Sequence, residues 1–217
     1  MTAKGTYSSP LDKASNRCIK RCLDIIIAAL WTVLLFSWVY VIVAIVTKVV
    51  MPGPVLFRQK RTGKDGEPFW IYKFRTMRLN DEADTTPAVA NDPRCPKWGM
   101  FLRKMSIDEL PQVLNVLKGD MSMVGPRPHM IADTEYYSKV IPEYNERLKV
   151  KQGLTGWAQA NGYRDGTPEL WMMQKRVEYD LWYIQNWTPW LDVKIVAMEL
   201  TLFVKKVFHK AKNNIWV

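Results

Sequence analysis

Cysteine and histidine are scarce in this chain: 217 residues contain three cysteines and two histidines. Three cysteines make no disulfide framework, and no histidine stands near any of them in sequence, which argues against a zinc site. Cys18 and Cys22 share an expected helix face, Cys95 stands alone, and His129 and His209 carry no motif. Reduced thiols with a basic charge balance point to cytoplasmic exposure. Negative charge is also in deficit: 21 acidic residues against 31 basic ones leave a formal charge of +10, which calls for an anionic partner. There is no internal repeat and no low-complexity tract. Residues 25–47 lack any charge, proline or glycine over 23 positions. As one straight helix they would run about 35 Å, enough to cross the hydrocarbon core of a membrane with some tilt. A cleaved signal peptide fits poorly, because the apolar run is long and no small-residue cleavage site follows it.

What is abundant is tryptophan, ten residues, together with 48% hydrophobic residues overall. The second figure allows a real core. The first suits a molecule that meets a membrane interface, where one end of an indole is apolar and the other wet. Surface tryptophans also leave room for a homodimer. Both flanks of the apolar run are basic: Lys4, Lys13, Arg17, Lys20 and Arg21 precede it, and Lys48, Arg58, Lys60, Arg61 and Lys64 follow it. Lysine and arginine favour the cytoplasmic side, so a re-entrant hairpin that returns to its entry side reconciles the two flanks. A single-pass span is the simpler reading, since only Ser37, by bonding back one turn, would bend the helix. On these residues alone both stay open.

Downstream, Met51-Pro-Gly-Pro54 is a stop and turn, and the pattern predicts a strand from Val55, a basic glycine-bearing loop at 61–68 and an aromatic strand from Phe69. Residues 80–97 read as a loop and candidate lid. Leu110, Val113, Leu114 and Leu117 predict a helix that Gly119-Asp120 ends. Residues 122–128 read as an extended piece and rigid turn, 130–149 as a polar surface helix, and 152–156 and 161–164 as turns. Leu170, Met173, Val177, Leu181 and Ile184 mark an amphipathic helix. Residues 195–204 are apolar except for Glu199 and too short to span; with the lysines that follow they suit a helix lying in the membrane surface, or else an ordinary core helix with a basic tail. The expected organisation is a membrane-embedded part at 1–50 and a cytoplasmic catalytic part at 51–217. The expected fold class is α+β, mostly helical, with a small β-hairpin and interfacial helices.

The stretch that demands chemistry is Met105-Ser-Ile-Asp-Glu-Leu-Pro-Gln112. Ser106 and Glu109 fit a capping box, and Pro111 is tolerated in a first helical turn. A plain cap accounts for much of it, but Asp108 is not needed by the cap. Beside Arg103 it should stay ionised at neutral pH, and an ionised carboxylate can attack phosphorus. An adjacent glutamate can hold Mg2+ beside a phosphate. Lys73, Arg75, Arg103 and Arg127 sit in short structured motifs, and guanidinium groups pair with phosphate at two points. Any one of them read alone is a solvated surface charge; their clustering at turns is what adds weight.

Lys73-Phe-Arg-Thr-Met77, the Ser106–Gln112 run and Asn115-Val-Leu-Lys-Gly-Asp-Met-Ser-Met-Val-Gly-Pro-Arg-Pro128 together resemble the bacterial sugar transferase family, the monotopic polyprenyl-phosphate phosphoglycosyltransferases. Leu154-Thr-Gly-Trp-Ala-Gln-Ala-Asn-Gly162 and Tyr179-Asp-Leu-Trp-Tyr183 resemble later family motifs in the same order, so the likeness runs from residue 17 to about 205 and is of the minimal catalytic type. It implies transfer of a sugar 1-phosphate from a UDP-sugar to polyprenyl phosphate with release of UMP. It further implies a covalent intermediate on Asp108, Mg2+ at Glu109, and substrate contacts from Lys73, Arg75, Arg103 and Arg127. A further substrate contact is expected at Arg164, one position beyond the family's usual Asn-Gly-Arg arginine. It implies a re-entrant helix-break-helix in the bacterial inner membrane with catalysis on the cytoplasmic face. Here Ser37-Trp38 stands where the family usually has Ser-Pro, and Lys151-Gln-Gly153 where it usually has Arg-Pro-Gly. The competing readings are a membrane glycosyltransferase that releases UDP and a non-enzymatic anchored protein that binds anionic ligands. Nucleic acid is not the expected partner, because the basic residues do not form stripes or tails. Residues near 160–170 and the 80–97 loop are placed to choose the sugar, which the sequence does not name.

Overall fold

The structure, a computed structural model, describes residues 8–79, 92–164 and 169–212. Helix α1 (Ala14–Trp31) passes through a π-helical segment, Thr32–Phe36, into α2 (Ser37–Val50), so the helical backbone is unbroken over 37 residues. Thr32 Oγ1 donates to the Ala28 carbonyl at 2.7 Å and Ser37 Oγ to the Val33 carbonyl at 2.9 Å. These back-bonds flank the wider π turn, which is where a helix can bend. Phe36 and Ser37 keep ordinary helical angles, so the expected break at Ser37 is not a break of the helical backbone. Trp38 explains the difference, since unlike proline it retains its N–H.

This long helix has two unlike sides. Leu30, Leu34, Trp38, Ile42, Ile45 and Val49 are exposed and apolar. Ala28, Phe36, Val43 and Thr47 are buried against the rest of the protein. The Phe36 and Tyr40 rings lie 6.2 and 5.8 Å from the Phe74 ring, and Trp98 Nε1 donates to Thr47 Oγ1 at 3.0 Å. Near the other end, Asp24 accepts from Ser122 Oγ (2.8 Å) and the Met123 N–H (2.9 Å), and Arg21 donates to the Val116 and Leu117 carbonyls at 2.6 and 2.8 Å.

Strands β1 (Leu56–Thr62) and β2 (Pro68–Phe74) form the expected antiparallel hairpin, in the register Gln59↔Ile71. Asp65 (φ 56°) and Gly66 (φ 85°) turn the chain between them. Helix α3 (Lys97–Lys104) packs on the segment that leaves β2: a Cβ on Gly99 would stand 1.9 Å from the Thr76 carbonyl oxygen, so only glycine permits this approach. Helix α4 (Gln112–Lys118) is tied to β2 by Asn115, which donates to the Trp70 carbonyl (2.6 Å) and accepts the Tyr72 N–H (3.0 Å). Gly119 at φ 100° ends α4.

Strand β3 (Ser122–Val124) is followed by α5 (Ile131–Val140). The surface helix expected over 130–149 stops there because Pro142 keeps Ile141 extended. The chain resumes as a 3-10 turn, Tyr144–Lys149, whose Tyr144 and Arg147 are buried. Strand β4 (Gly153–Thr155) pairs parallel with β3, a second small sheet where a turn was expected. Its glycines hid it: a Cβ on Gly153 would lie 2.1 Å from the Gly125 nitrogen, so the pairing depends on bare backbone rather than on an apolar alternation. Short α6 (Trp157–Ala160), α7 (Leu170–Gln185) and α8 (Pro189–Lys212) complete the chain. The amphipathic pattern predicted for α7 buries Met173, Val177, Leu181 and Ile184. The core lies between these helices, α4 and β3. Outward, α8 exposes Trp190, Leu202, Phe203 and Phe208.

Candidate active site

Helix α3 ends at Lys104, and Ser106 then takes a left-handed conformation, φ 58°. Its N–H donates to the Arg103 carbonyl at 2.9 Å, so Ser106 closes α3 instead of opening the next helix. The capping box expected of Ser106 and Glu109 is therefore absent: Ser106 makes no side-chain cap bond, and α4 begins only after Pro111. Asp108 and Glu109 lie in a separate 3-10 turn, Ile107–Glu109, wedged between α3, α4 and the end of β2.

Both carboxylates are buried, Asp108 at 8% exposure and Glu109 at 7%, yet their partners differ. Glu109 Oε1 meets Lys73 Nζ at 3.3 Å and Arg127 Nη2 at 2.7 Å, while Oε2 meets Arg127 Nη1 at 3.3 Å and Arg164 Nη2 at 3.4 Å. Arg164 also donates to Glu199 Oε2 at 2.6 Å. Burial alone would raise the Glu109 pKa, but Arg127 and Lys73 outweigh it and hold the group well below the usual carboxylate range. Asp108 accepts no hydrogen bond from any described residue. Burial pushes its pKa up to about 6, with Lys73 pulling down and Glu109 pushing up. Burial also lowers the Lys73 pKa, against the pull of both carboxylates. The turn thus presents one clamped anion and one less encumbered carboxylate that ionises near neutrality.

The cations are themselves held. Lys73 lies near the end of β2, one strand residue before Phe74. Arg127 follows β3 in the Gly125-Pro-Arg-Pro128 turn, and its carbonyl accepts from Arg147 Nη2 at 2.7 Å. Arg147 is fully buried and forks onto Asp180 Oδ2 at 3.0 and 2.8 Å through Nε and Nη2. His129 joins the same cluster, its Nδ1 2.5 Å from Tyr144 Oη and 3.1 Å from Arg147 Nη1. Burial, then Arg147 and Arg176, depress the His129 pKa well below its usual value, so the ring is neutral here. On the other flank Arg103 Nε donates to Thr76 Oγ1 at 2.9 Å, and its charge helps to lower the Asp108 pKa.

Of the seven residues expected at the site, the structure gathers Lys73, Arg127 and Arg164 directly on Glu109, beside Asp108, with Arg103 acting on Asp108 through space. Arg75, also expected as a substrate contact, stands apart from this cluster. Its guanidinium donates to the carbonyls of Met51, Pro52 (3.2 Å) and Pro54 (2.6 Å), pinning the turn after α2. The side chain is 5% exposed and commits four of its five N–H donors to carbonyls, that of Met77 included. Sequence reasoning missed Arg147, Asp180 and His129 as supports. Asp180 had a signal, since it stands in the Tyr179–Tyr183 motif. Glu199, the lone acid of an apolar stretch, had one too. Part of the expected lid, residues 80–91, and residues 165–168 of the expected specificity stretch lie outside the described residues.

The family model described as bacterial sugar transferase matches residues 15–206. The chain belongs to the bacterial sugar transferase family. A relative from Escherichia coli (strain K12), named UDP-glucose:undecaprenyl-phosphate glucose-1-phosphate transferase, is 51% identical over 91% of this chain and 42% of its own length. One of the same name from Caulobacter vibrioides is 48% identical over 86% of this chain and 70% of its own length. A third, from Aeromonas hydrophila, is 43% identical over 82% of this chain and 42% of its own length; it is named UDP-N-acetylgalactosamine-undecaprenyl-phosphate N-acetylgalactosaminephosphotransferase. The chain thus spans less than half the length of the Escherichia coli and Aeromonas relatives.

For this family member the fit of Mg2+ can be judged from the donors. The ion takes hard oxygens, keeps several waters and commonly uses one or two carboxylates with phosphate oxygens. Asp108 and Glu109 supply that chemistry. No cluster of three or more His, Cys, Asp or Glu exists among the described residues, so a full protein cage is not formed there. Four nitrogen contacts cover the two Glu109 oxygens, three of them at 3.3–3.4 Å, long enough to yield to a stronger ligand.

Proposed function

We propose that this bacterial sugar transferase moves a sugar 1-phosphate from a UDP-sugar to polyprenyl phosphate and releases UMP. The carrying observation is the split between the two adjacent carboxylates: Glu109 is neutralised by Lys73, Arg127 and Arg164, while Asp108 accepts no bond from a described residue and ionises near pH 6. Asp108 attacks the phosphorus that bears the sugar. An Asp108 Oδ–P bond forms, the P–O bond to UMP breaks, and UMP leaves with the bridging oxygen. A polyprenyl phosphate oxygen then attacks the same phosphorus, the Asp108–phosphorus ester breaks, and the carboxylate is restored. Arg127 and Lys73 at the Glu109 edge and Arg103 at the Asp108 edge offset the repulsion between the carboxylate and the incoming anion. Glu109 would hold Mg2+, which when bound adds positive charge at the phosphate oxygens. The names of the relatives make UDP-glucose the first donor to test and UDP-N-acetylgalactosamine the second.

A re-entrant placement on the cytoplasmic face of the inner membrane is part of the same reading. Arg21 and Asp24 near the start of the long helix, and Thr47 near its end, all bind the same body of the protein. A helix that crossed the bilayer would carry one of these ends away from it. The exposed apolar side chains of α2 and α8 suit contact with lipid. The decisive experiment incubates the chain with UDP-glucose and Mg2+ and no acceptor, then weighs the intact protein and assays nucleotide. A sugar-phosphate adduct on Asp108 with one UMP per enzyme is expected. Release of UDP, or full turnover by Asp108→Asn, would refute the reading.

A further inference from the structure

A cavity of about 320 Å3 lies away from the acid pair, between the start of α1, the end of β3 and the segment before β4. Six cations line it, Arg17, Lys20, Arg21, Lys64, Lys149 and Lys151, against two carboxylates, Asp12 and Asp24. None of the six touches Asp108 or Glu109. Both carboxylates are already committed. Asp24 serves Ser122, the Met123 N–H and Lys20, and Asp12 accepts the Ser9 N–H at 2.9 Å. Five of the cations are committed too. Lys20 pairs with Asp192 at 2.7 Å, Lys149 with Glu146 at 2.5 Å and Lys64 with Asp65 at 2.7 Å. Arg17 and Arg21 donate to backbone carbonyls.

Lys151 is the exception: it has no hydrogen bond or ion pair among the described residues. Its Nζ and Arg21 Nη2 stand 3.8 and 3.6 Å from the point where a Cβ on Gly119 would be, so two cations face the same point, and Asp24 and Asp120 are the carboxylates that act on Lys151 through space. Burial and then Arg21 lower the Lys151 pKa, against the pull of Asp24 and Asp120. Six of the cavity's lining residues lie between Leu11 and Asp24, directly before the apolar run of the long helix. On the re-entrant placement proposed above, an anion seated there would lie near the start of the lipid-facing apolar run.

We propose that this cavity binds the phosphate of a membrane phospholipid head group, with Lys151 and Arg21 as its principal contacts. Such a site anchors the foot of α1 at the lipid surface. It also adjoins the strand that leads to Arg127, because Ser122 and Val124 of β3 line the cavity and Arg127 follows three residues later. Electrostatic attraction of one basic side chain to an anionic lipid surface is worth about a fivefold change in binding.

The test is native mass spectrometry of the full chain in detergent, titrated with phosphatidylglycerol or phosphatidylcholine. The wild type should retain one phosphatidylglycerol in preference to phosphatidylcholine. Lys151→Gln should hold it about fivefold more weakly, and Lys151→Arg should restore it. Lys175→Gln, an exposed control, should match the wild type. Equal retention by wild type and Lys151→Gln would overturn the proposal, as would failure of Lys151→Arg to bind while folded. Displacement of the lipid by an equal concentration of inorganic phosphate would overturn the assignment to a lipid.

Discussion

Asp108→Asn and Glu109→Gln each remove one negative charge from the same turn, and the surroundings give them opposite consequences. The folded pKa of Asp108, about 6, lies above its ordinary value of 3.8. The fold therefore favours the protonated acid, and stability is lost as pH rises through that window. At pH 7 Asp108→Asn should be more stable than wild type by roughly 2–3 kcal/mol, and equal to it below about pH 4. Glu109 is shifted the other way: its contribution is present above the ordinary glutamate range and is lost as pH falls through its depressed value. Glu109→Gln leaves Lys73, Arg127 and Arg164 facing a neutral amide and should cost about 3–5 kcal/mol. Thermal melts of the two variants across pH 4–8 check both signs. The same pKa governs chemistry. Adduct formation on Asp108 should rise through about pH 6 and run roughly tenfold slower at pH 5 than at pH 8. A profile flat across that range would remove Asp108 from the nucleophile's role. On the proposed covalent route, Asp108→Asn should lower turnover by roughly a thousandfold or more.

At the scale of elements, the site is a meeting of short pieces whose closeness depends on small residues. Gly99 lets α3 touch the backbone at Thr76, and Thr76 Oγ1 accepts from Arg103. Gly99→Ala must push α3 off that carbonyl, so it should cost about 1–3 kcal/mol and displace Arg103 from the Asp108 side. The expected kinetic signature is slower adduct formation with the pH midpoint raised, because Arg103 lowers the Asp108 pKa; stopped-flow mass analysis at several pH values measures both. The hairpin, α4 and α7 were legible in sequence because each carries its own signal: aromatic β-prone runs, helical spacing of leucines, and an amphipathic stripe. The β3–β4 ladder was not, because a three-residue parallel pair built on Gly125 and Gly153 has no periodicity to read. The capping box was a false positive: Ser-x-x-Glu has the right spacing, but Ser106 is spent on closing α3. Arg75 has a structural task that its motif does not announce. It bonds the Met51 and Pro54 carbonyls, partners that its place beside Lys73 does not reveal. Asp108, Glu109, Lys73 and Arg127 were legible because their motifs carry more charge than a cap or turn requires. The Arg147–Asp180 pair that holds Arg127 needed a contact 33 residues apart in sequence.

For the whole molecule, the question is which faces meet lipid. The exposed side of the long helix, from Leu30 to Val49, carries no charge except Lys48, and its other side is bonded to the protein near both ends. Membrane insertion must bury that apolar side without moving Arg21 and Trp98 apart, because each makes hydrogen bonds whose loss inside the protein costs about 1–3 kcal/mol. The re-entrant placement proposed above meets both demands; a straight crossing would break one set. The native thiols allow a direct check, since Cys18 and Cys22 are exposed on α1 and Cys95 is buried. A membrane-impermeant maleimide applied to inside-out vesicles should label Cys18 and Cys22 in the wild type. In a Cys18→Ser/Cys22→Ser background it should label Lys48→Cys from the same face. Right-side-out vesicles should protect both positions equally. Labelling of the two positions from opposite faces would mean a full crossing. It would also require the Trp98–Thr47 bond to be absent in the membrane, which Trp98→Phe would then reveal by leaving stability unchanged.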